Sequence, residues 1–397
     1  MVENKDKKVL NVPNLRFKEF EGEWEKTTFG NIATGFDYGM NAAAKSYDGE
    51  NKYIRITDID ESSSTYVDKD VVSPDGMLSD NFLVKERDIL LARTGASTGK
   101  TYLYRKPDGK LYYAGFLIRA NVTTHNPYFL FCQLHTHRYW RWVSIMSARS
   151  GQPGINSQEY SSFPVFTTSI QEENKIAKLL SLLDERISTQ TKIIDKLQSL
   201  IKGISNRLLY ADNSMSIRIE EMLIERSERT KKNNQYEVLS STVNGIFSQR
   251  DYFSKDIASD NNVGYKIIHL HDVVLSPQNL WMGNINFNDK FDIGIVSPSY
   301  KVFSIADGFD KKYVAALLKT HHALYNYMLV SEQGASIVRR NLNYEAFEQL
   351  VFKIPSLNKQ REIGHALSLL KSRLENANLL IKTYNSQKQF MLRQMFI

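Results

Sequence analysis

The sequence predicts an α+β protein: two globular domains joined by two long helices that form an antiparallel coiled coil, with approximate two-fold symmetry inside one chain. Three observations carry this. Ile176-Ala-Lys-Leu-Leu-Ser-Leu-Leu-Asp-Glu-Arg-Ile187 matches Ile363-Gly-His-Ala-Leu-Ser-Leu-Leu-Lys-Ser-Arg-Leu374 at an offset of 187 residues in a chain of 397, and the register holds to the C-terminus. Steps of four and three then pick out Ile176, Leu180, Leu183, Ile187, Gln190, Ile194, Leu197, Ile201, Ile204 and Leu208 in the first copy, and Ile363, Leu367, Leu370, Leu374, Ala377, Ile381, Tyr384, Lys388, Met391 and Met395 in the second. A heptad seam of that length, broken only by Gln190 and Lys388, marks a coiled-coil helix rather than an ordinary amphipathic one. A fainter repeat precedes each helix: Asp88–Gly99 falls on Asp272–Gly283 at an offset of 184, and Tyr128, Trp140 and Trp142 fall on Tyr313, Tyr325 and Tyr327 at 185. A unit used twice implies an internal two-fold relation.

The elements follow in order. Residues 1–168 form the first globular domain, with strand signals at Tyr53–Thr57 and Asp88–Ala92, turn signals at Pro74-Asp-Gly76 and Pro107-Asp-Gly109, and a helix from Pro127 to about Met146. Phe163-Pro164 breaks the chain. Ser169 is placed to cap the first spacer helix, 169–212, with Glu172 and Glu173 in its first turn, where the helix dipole favours carboxylates. The second globular domain covers 213–355 and the second spacer helix 356–397. A helix of about 33 residues is roughly 50 Å long, so such a rod can hold two domains apart.

Composition narrows the class. The lone Cys132 excludes an intramolecular disulfide framework and a four-cysteine zinc site, and no stretch reads as a signal peptide or membrane span, so a cytoplasmic protein is expected. The net charge of +7 points only weakly to nucleic acid. Its distribution says more, because no acidic residue lies between Asp108 and Glu159 while Lys110, Arg119, Arg138, Arg141 and Arg149 do, beside His125, His135 and His137. With interleaved aromatics this stretch could cover a polyanion; equally, Trp140 and Trp142 could sit in a buried helix with snorkelling arginines. Three apparent catalytic motifs fail. Gly95–Thr101 has three residues between its glycines where a phosphate loop needs four, and Tyr102-Leu-Tyr-Arg105 after it reads as strand. Asn126-Pro127-Tyr128 lacks the second proline of an adenine-methyltransferase motif. The pairs His269/His271 and His321/His322 have no third metal ligand at a recognisable spacing.

What remains are polar loops at corresponding places in the two halves. Arg93, Thr94, Ser97, Thr98 and Lys100 supply a guanidinium, an ammonium and three hydroxyls on a glycine-punctuated loop, the groups that clamp phosphates and reach bases. Ser150–Asn156 is a second loop, whose Gln152 and Asn156 can contact adenine bidentately. In the other half Gln278, Asn279, Trp281 and Asn284 stand for the first loop, and Gln333, Ser336, Arg339 and Arg340 for the second. Arg55, inside a strand signal, could simply serve a local ion pair.

Val12–Trp24, the Asp88–Lys100 run, Gln171–Ala177 and Asp292–Tyr300, together with the duplicated domain-plus-helix plan, resemble the specificity subunit of Type I restriction-modification systems over the whole chain. The resemblance implies a non-catalytic subunit in which two target-recognition domains each read one half of a bipartite asymmetric DNA sequence. Two helices would space them and, with adjoining regions, dock two methyltransferase subunits that methylate adenine at N6. Two motor-nuclease subunits would complete the restriction complex. S-adenosylmethionine would belong to the methyltransferase, ATP and magnesium to the motor, and no cofactor or metal to this chain. The competing readings are a coiled-coil scaffold whose globular domains bind proteins, and an enzyme with an unrecognised nuclease site.

Overall fold

The computed structural model describes residues 10–148, 152–208, 215–252, 261–333 and 340–397. The chain divides into two compact units, Met1–Gln190 with Leu380–Ile397, and Thr191–Leu379, so each unit takes part of both long helices.

In the first unit the central sheet is antiparallel in the order Ala33–Tyr38, Leu117–Val122, Asp88–Ala92, Thr101–Leu103. The apolar run Asp88–Ala92 is buried along its whole length because both of its faces are covered. Ile89 and Leu91 pack with Leu130, Tyr139 and Phe163, whereas Leu90 and Ala92, pointing the other way, pack with Tyr102 and Tyr113. The second unit repeats the sheet as Leu223–Glu225, Lys301–Ile305, Val273–Leu275, Ile285–Phe287. The additions to each sheet differ: the first unit carries a parallel pair, Lys52–Ile54 with Leu111–Tyr113, and the second carries two antiparallel pairs, Leu239–Thr242 with Gly245–Ser248 and Lys266–His269 with Ile293–Val296.

The expected helix from Pro127 to Met146 is two helices, Pro127–Gln133 and His137–Met146. Thr136 separates them, its hydroxyl donating to the Gln133 carbonyl at 2.8 Å and accepting from the Tyr139 amide. The second unit has the same device in Lys311–Leu317, Thr320 and His321–Leu329, with Thr320 donating to the Leu317 carbonyl at 2.8 Å. These caps set the true offset at 184, so Tyr128 corresponds to Lys312 and Trp140 to Leu324. The expected pairing of Tyr128, Trp140 and Trp142 with Tyr313, Tyr325 and Tyr327 is therefore one residue out, because aromatic type was matched across positions that backbone geometry aligns differently.

The long helices run Ile170–Leu208 and Leu357–Gln394. Ser169 caps the first, its hydroxyl accepting from the Glu172 amide at 3.3 Å. The seam is their buried stripe: Ile176, Leu180, Leu183, Ile194, Ile363 and Leu367 are buried, and Ile187, Leu197, Leu370, Leu374, Ile381 and Tyr384 half-buried. In the first unit Ile176 and Leu180 pack with Leu392, Met395, Phe396 and Trp24, while Asp184 pairs with Lys388 at 2.6 Å. Going up one helix is going down the other, so they are antiparallel there. The same pair explains the lysine in the seam. In the second unit the far end of the first helix, at Ile204, packs on the cluster holding Ile363 and Leu367.

Each helix start is keyed into its own globular part by a buried side chain. Glu173 accepts from the Asn126 amide and pairs with His125 Nδ1, both at 2.8 Å, and the buried Glu172 holds Arg16 at 2.7 Å. At an offset of 187 from Glu173, Gln360 accepts from the Asp310 amide at 3.0 Å and donates to the Pro355 carbonyl. Glu172 and Glu173 are thus anchors as well as partners of the helix dipole.

Candidate nucleic-acid interface

In both units the loop after the central strand is positioned by the same backbone demands. Arg87, immediately before the first unit's strand, and His271, two residues before the second unit's, lie in the left-handed region (φ 73° and 76°). The next residue, Asp88 or Asp272, turns its carboxylate back onto the amide of Lys85 or His269. Burial raises the pKa of both aspartates. The loop closes at Gly99 or Gly283, at φ 92° and 87°. Here a Cβ would meet Val143 at 2.7 Å and Trp140 at 3.0 Å in the first unit, and Leu324 at 2.9 Å in the second. Glycine is required twice over, for its torsion and for the close approach of the following helix.

The structure brings the two predicted loops together in each unit. In the first, Thr94 bridges Gly154, the Gly95 amide donates to the Pro153 carbonyl at 3.0 Å, and the Ile155 amide to the Arg93 carbonyl at 2.9 Å. Arg93 donates from Nε to the Gly115 carbonyl at 3.1 Å and lies over the Tyr38 ring at 4.8 Å. The Ser157 amide bonds the Tyr38 hydroxyl, and hydrogen bonding by the Ser157 side chain, with that amide and the charge of Arg93 adding to it, draws the phenol below its usual pKa. Ser97 is half-buried, Gln152 is exposed, and Lys100 pairs with the exposed Glu61 at 3.5 Å. Tyr38 and Trp140, 42% and 43% exposed, extend this surface with aromatic faces. Tyr38 was not legible as a site residue, since 55 positions separate it from Arg93.

In the second unit the Arg340 amide donates to the Gln278 carbonyl at 3.1 Å, and the Arg340 guanidinium stacks on Trp281 at 4.4 Å. Gln278 and Gln333 are exposed, and Gln333 pairs with Arg340 across a two-stranded ladder. Asn279 Oδ1 and Arg340 Nε are buried without a hydrogen-bond partner among the described residues. Ser336 and Arg339 lie outside the described residues, as do Arg149, Ser150 and Gly151 of the first unit.

Three predicted contacts are corrected. Thr98 is buried and its hydroxyl donates to the Gly95 carbonyl at 2.8 Å, closing its own loop. Asn156 caps the helix Ser157–Ser161, its side-chain oxygen accepting from the Glu159 amide at 2.9 Å. Asn284 is buried and exchanges hydrogen bonds with Ser241. Short polar residues serve caps and turns as readily as ligands, and the sequence does not separate the two uses. The acid-free stretch is mostly structural too. Arg138 is held among Phe163, Phe166 and Gln133, and burial lowers its pKa to about 10. Arg119 binds Asp37 and main-chain carbonyls, and Trp142 packs on Tyr139 and Phe163. Arg55 forms the local ion pair that was its alternative, with Asp58 at 2.7 Å. His269 bonds Glu228 at 2.8 Å, and His271 stacks on Phe287. Among the described residues no helix is long and apolar enough to cross a membrane.

Residues 22–199 match the family model of the Type I restriction modification DNA specificity domain. The whole fold resembles the S subunit of a Type I restriction-modification system from M. genitalium at 13% identity, covering 97% of this chain and 99% of that one, with a TM-score of 0.65. The HsdS subunit from Thermoanaerobacter tengcongensis aligns at 12% identity over 94% of this chain and 96% of that one, with a TM-score of 0.41. The fold assignment rests on the first of these structures.

Proposed function

We propose, from the match of residues 22–199 to the family model of the Type I restriction modification DNA specificity domain, that this chain is the DNA-recognition subunit of a Type I restriction-modification complex. On this reading it is non-catalytic, each unit reads one half of a bipartite target, and partner adenine-N6 methyltransferase subunits, with a motor-nuclease, act where it binds. S-adenosylmethionine, ATP and magnesium would be bound by those partners.

The observation that carries the reading is that one loop pair is built twice on the same scaffold, while its accessible side chains differ: half-buried Arg93 and Lys100 with exposed Gln152 in one unit, exposed Gln278 and Gln333 with half-buried Arg340 in the other. Two readers of different bases need a shared frame and unlike fingertips. Docking of partners is supported by the long helices, which expose Leu182 and Ile193 and, 187 residues on, Leu369 and Leu380 outside the seam. Apolar residues repeated on an exposed helix face fit a protein partner used twice.

The test is a chimera. Replacing residues 1–168 with the counterpart from a relative of different specificity should change one half of the methylated motif in a genome-wide N6-methyladenine map, leaving the other half and the spacing intact. Well-separated base contacts contribute nearly independently. Both halves changing together, or a spacing that follows the exchanged segment, would overturn the two-reader model.

A further inference from the structure

Behind the second unit's loops, between Lys311–Leu317, the turn at Val243–Gly245 and the adjoining parts of both long helices, lies a cavity of about 1040 Å³. Its lining holds seven lysine and arginine side chains against three carboxylates, and one of those, Asp310, is already engaged capping the Tyr313 amide. Phe309, Ala315 and Leu367 give it an apolar wall. The volume suits a small molecule.

Comparison with the first unit shows what these cations replace. At an offset of 184, Tyr128 and His135 stand where the second unit has Lys312 and Lys319; at 187, Asp184 stands where it has Lys371. The first unit's set is internally satisfied: Tyr128 donates to Asp184, Asp184 pairs with Lys388, and His135 bonds the Phe131 carbonyl at 2.7 Å and Ser64 at 2.9 Å, so that the loop bearing Ser64 covers it. The second unit puts three ammonium groups at the same positions, around open space. Lys319, the least exposed of them, is fixed by the carbonyls of Gly283, at 2.7 Å, and Val243. None of the three has a carboxylate within ion-pairing distance among the described residues. Burial, with the charge of Lys371 adding to it, lowers the pKa of Lys319 to about 8.

We infer that this cavity is a binding site for a small phosphate-bearing anion, with Lys319 at its depth, Lys312 and Lys371 at its rim, and the apolar wall receiving the uncharged part of the ligand. An anion of two or more charges turns the mutual repulsion of the three ammonium groups into attraction and breaks no ion pair of theirs among the described residues. The site touches the second unit's predicted DNA loop at Gly283 but does not depend on that loop's assignment.

The experiment titrates the full-length protein with inorganic pyrophosphate, against sodium chloride at matched ionic strength, reading melting temperature and calorimetric heat. Saturable stabilisation is expected, weakened at least tenfold in Lys371→Asp, which installs the first unit's residue at an exposed position, and likewise in Lys319→Gln. The circular dichroism of both variants without pyrophosphate verifies their fold. No saturable response in the wild type, or an equal one in Lys371→Asp, overturns the site. Displacement of pyrophosphate by a short DNA duplex would make the cavity part of the DNA surface and overturn it as well.

Discussion

The two globular segments share a scaffold and differ in how they finish it. In the first, the paired loops are stitched main chain to main chain at Thr94 and Gly154, and Arg93 is steadied from outside by Tyr38. In the second, the described residues are joined by the Arg340 amide on the Gln278 carbonyl and by the stack of Arg340 on Trp281. Positions that keep their role at an offset of 184 are those where backbone geometry leaves no choice: the left-handed Arg87 and His271, the buried Asp88 and Asp272, the crowded Gly99 and Gly283, and the capping Thr136 and Thr320. Positions on the surface or around the cavity change chemistry freely. A duplicated fold thus separates the positions that hold the frame from those free to vary.

The largest expected effect breaks the equivalence of the two seams. Leu183 is 6% exposed, whereas Leu370, its counterpart, is half-buried. Leu183→Asp strands a carboxylate in an apolar contact and should cost several kcal/mol in urea unfolding, and Leu370→Asp clearly less. Methylation of the bipartite target should collapse in the double variant. Equal costs would show that the two helix halves are packed alike.

Intermediate effects sharpen the comparison of the loops. Arg93→Ala and Lys100→Ala should weaken binding about equally on all duplexes and lower the salt slope by about one unit each, whereas Gln152→Ala should relax discrimination at one base pair by about 1–3 kcal/mol. In the second unit Arg340→Ala and Trp281→Ala should have similar effects, and the double variant little more than either, because the stack couples them. Thr98→Ala and Asn284→Ala should reduce stability while leaving the salt slope unchanged. Full additivity at Arg340 and Trp281 would mean that the stack does not present the guanidinium.

The smallest effect is a contrast in pH dependence between the equivalent residues His135 and Lys319. Burial lowers His135 to a pKa of about 4, against the opposing hydrogen bond to Phe131, with Lys388 and Asp184 nearby. As pH falls from about 6.5 to 4 the unfolded chain takes up a proton that the folded one refuses, so stability falls with pH across that window. Lys319, at about 8, works on the alkaline side. Between about 8 and 10.5 the unfolded chain still holds its proton and the folded one has released it, so this lysine makes stability rise with pH. His135→Asn should flatten the acid limb of a stability profile and Lys319→Met the alkaline limb. Limbs that respond to the opposite variant would refute the assignment.

The duplication, the seam and the Asp88–Ala92 strand were legible in the sequence, because heptad spacing and an uninterrupted apolar run are local patterns that burial enforces along the chain. The sequence also located the loop pair in each half, since glycine-punctuated polar runs after a buried strand must be surface. Tertiary structure alone decided which of their residues face outward. Thr98, Asn156 and Asn284 have the chemistry of ligands, but their nearest unsatisfied partners are backbone groups and, for Asn284, Ser241. Tyr38 reaches Arg93 only because the sheet brings distant strands together. Nor could the lysines at 312, 319 and 371 be read as a group, since their meeting depends on a helix hairpin and a second long helix closing around one cavity. Burial is a property of neighbours, and neighbours distant in the chain are what folding supplies.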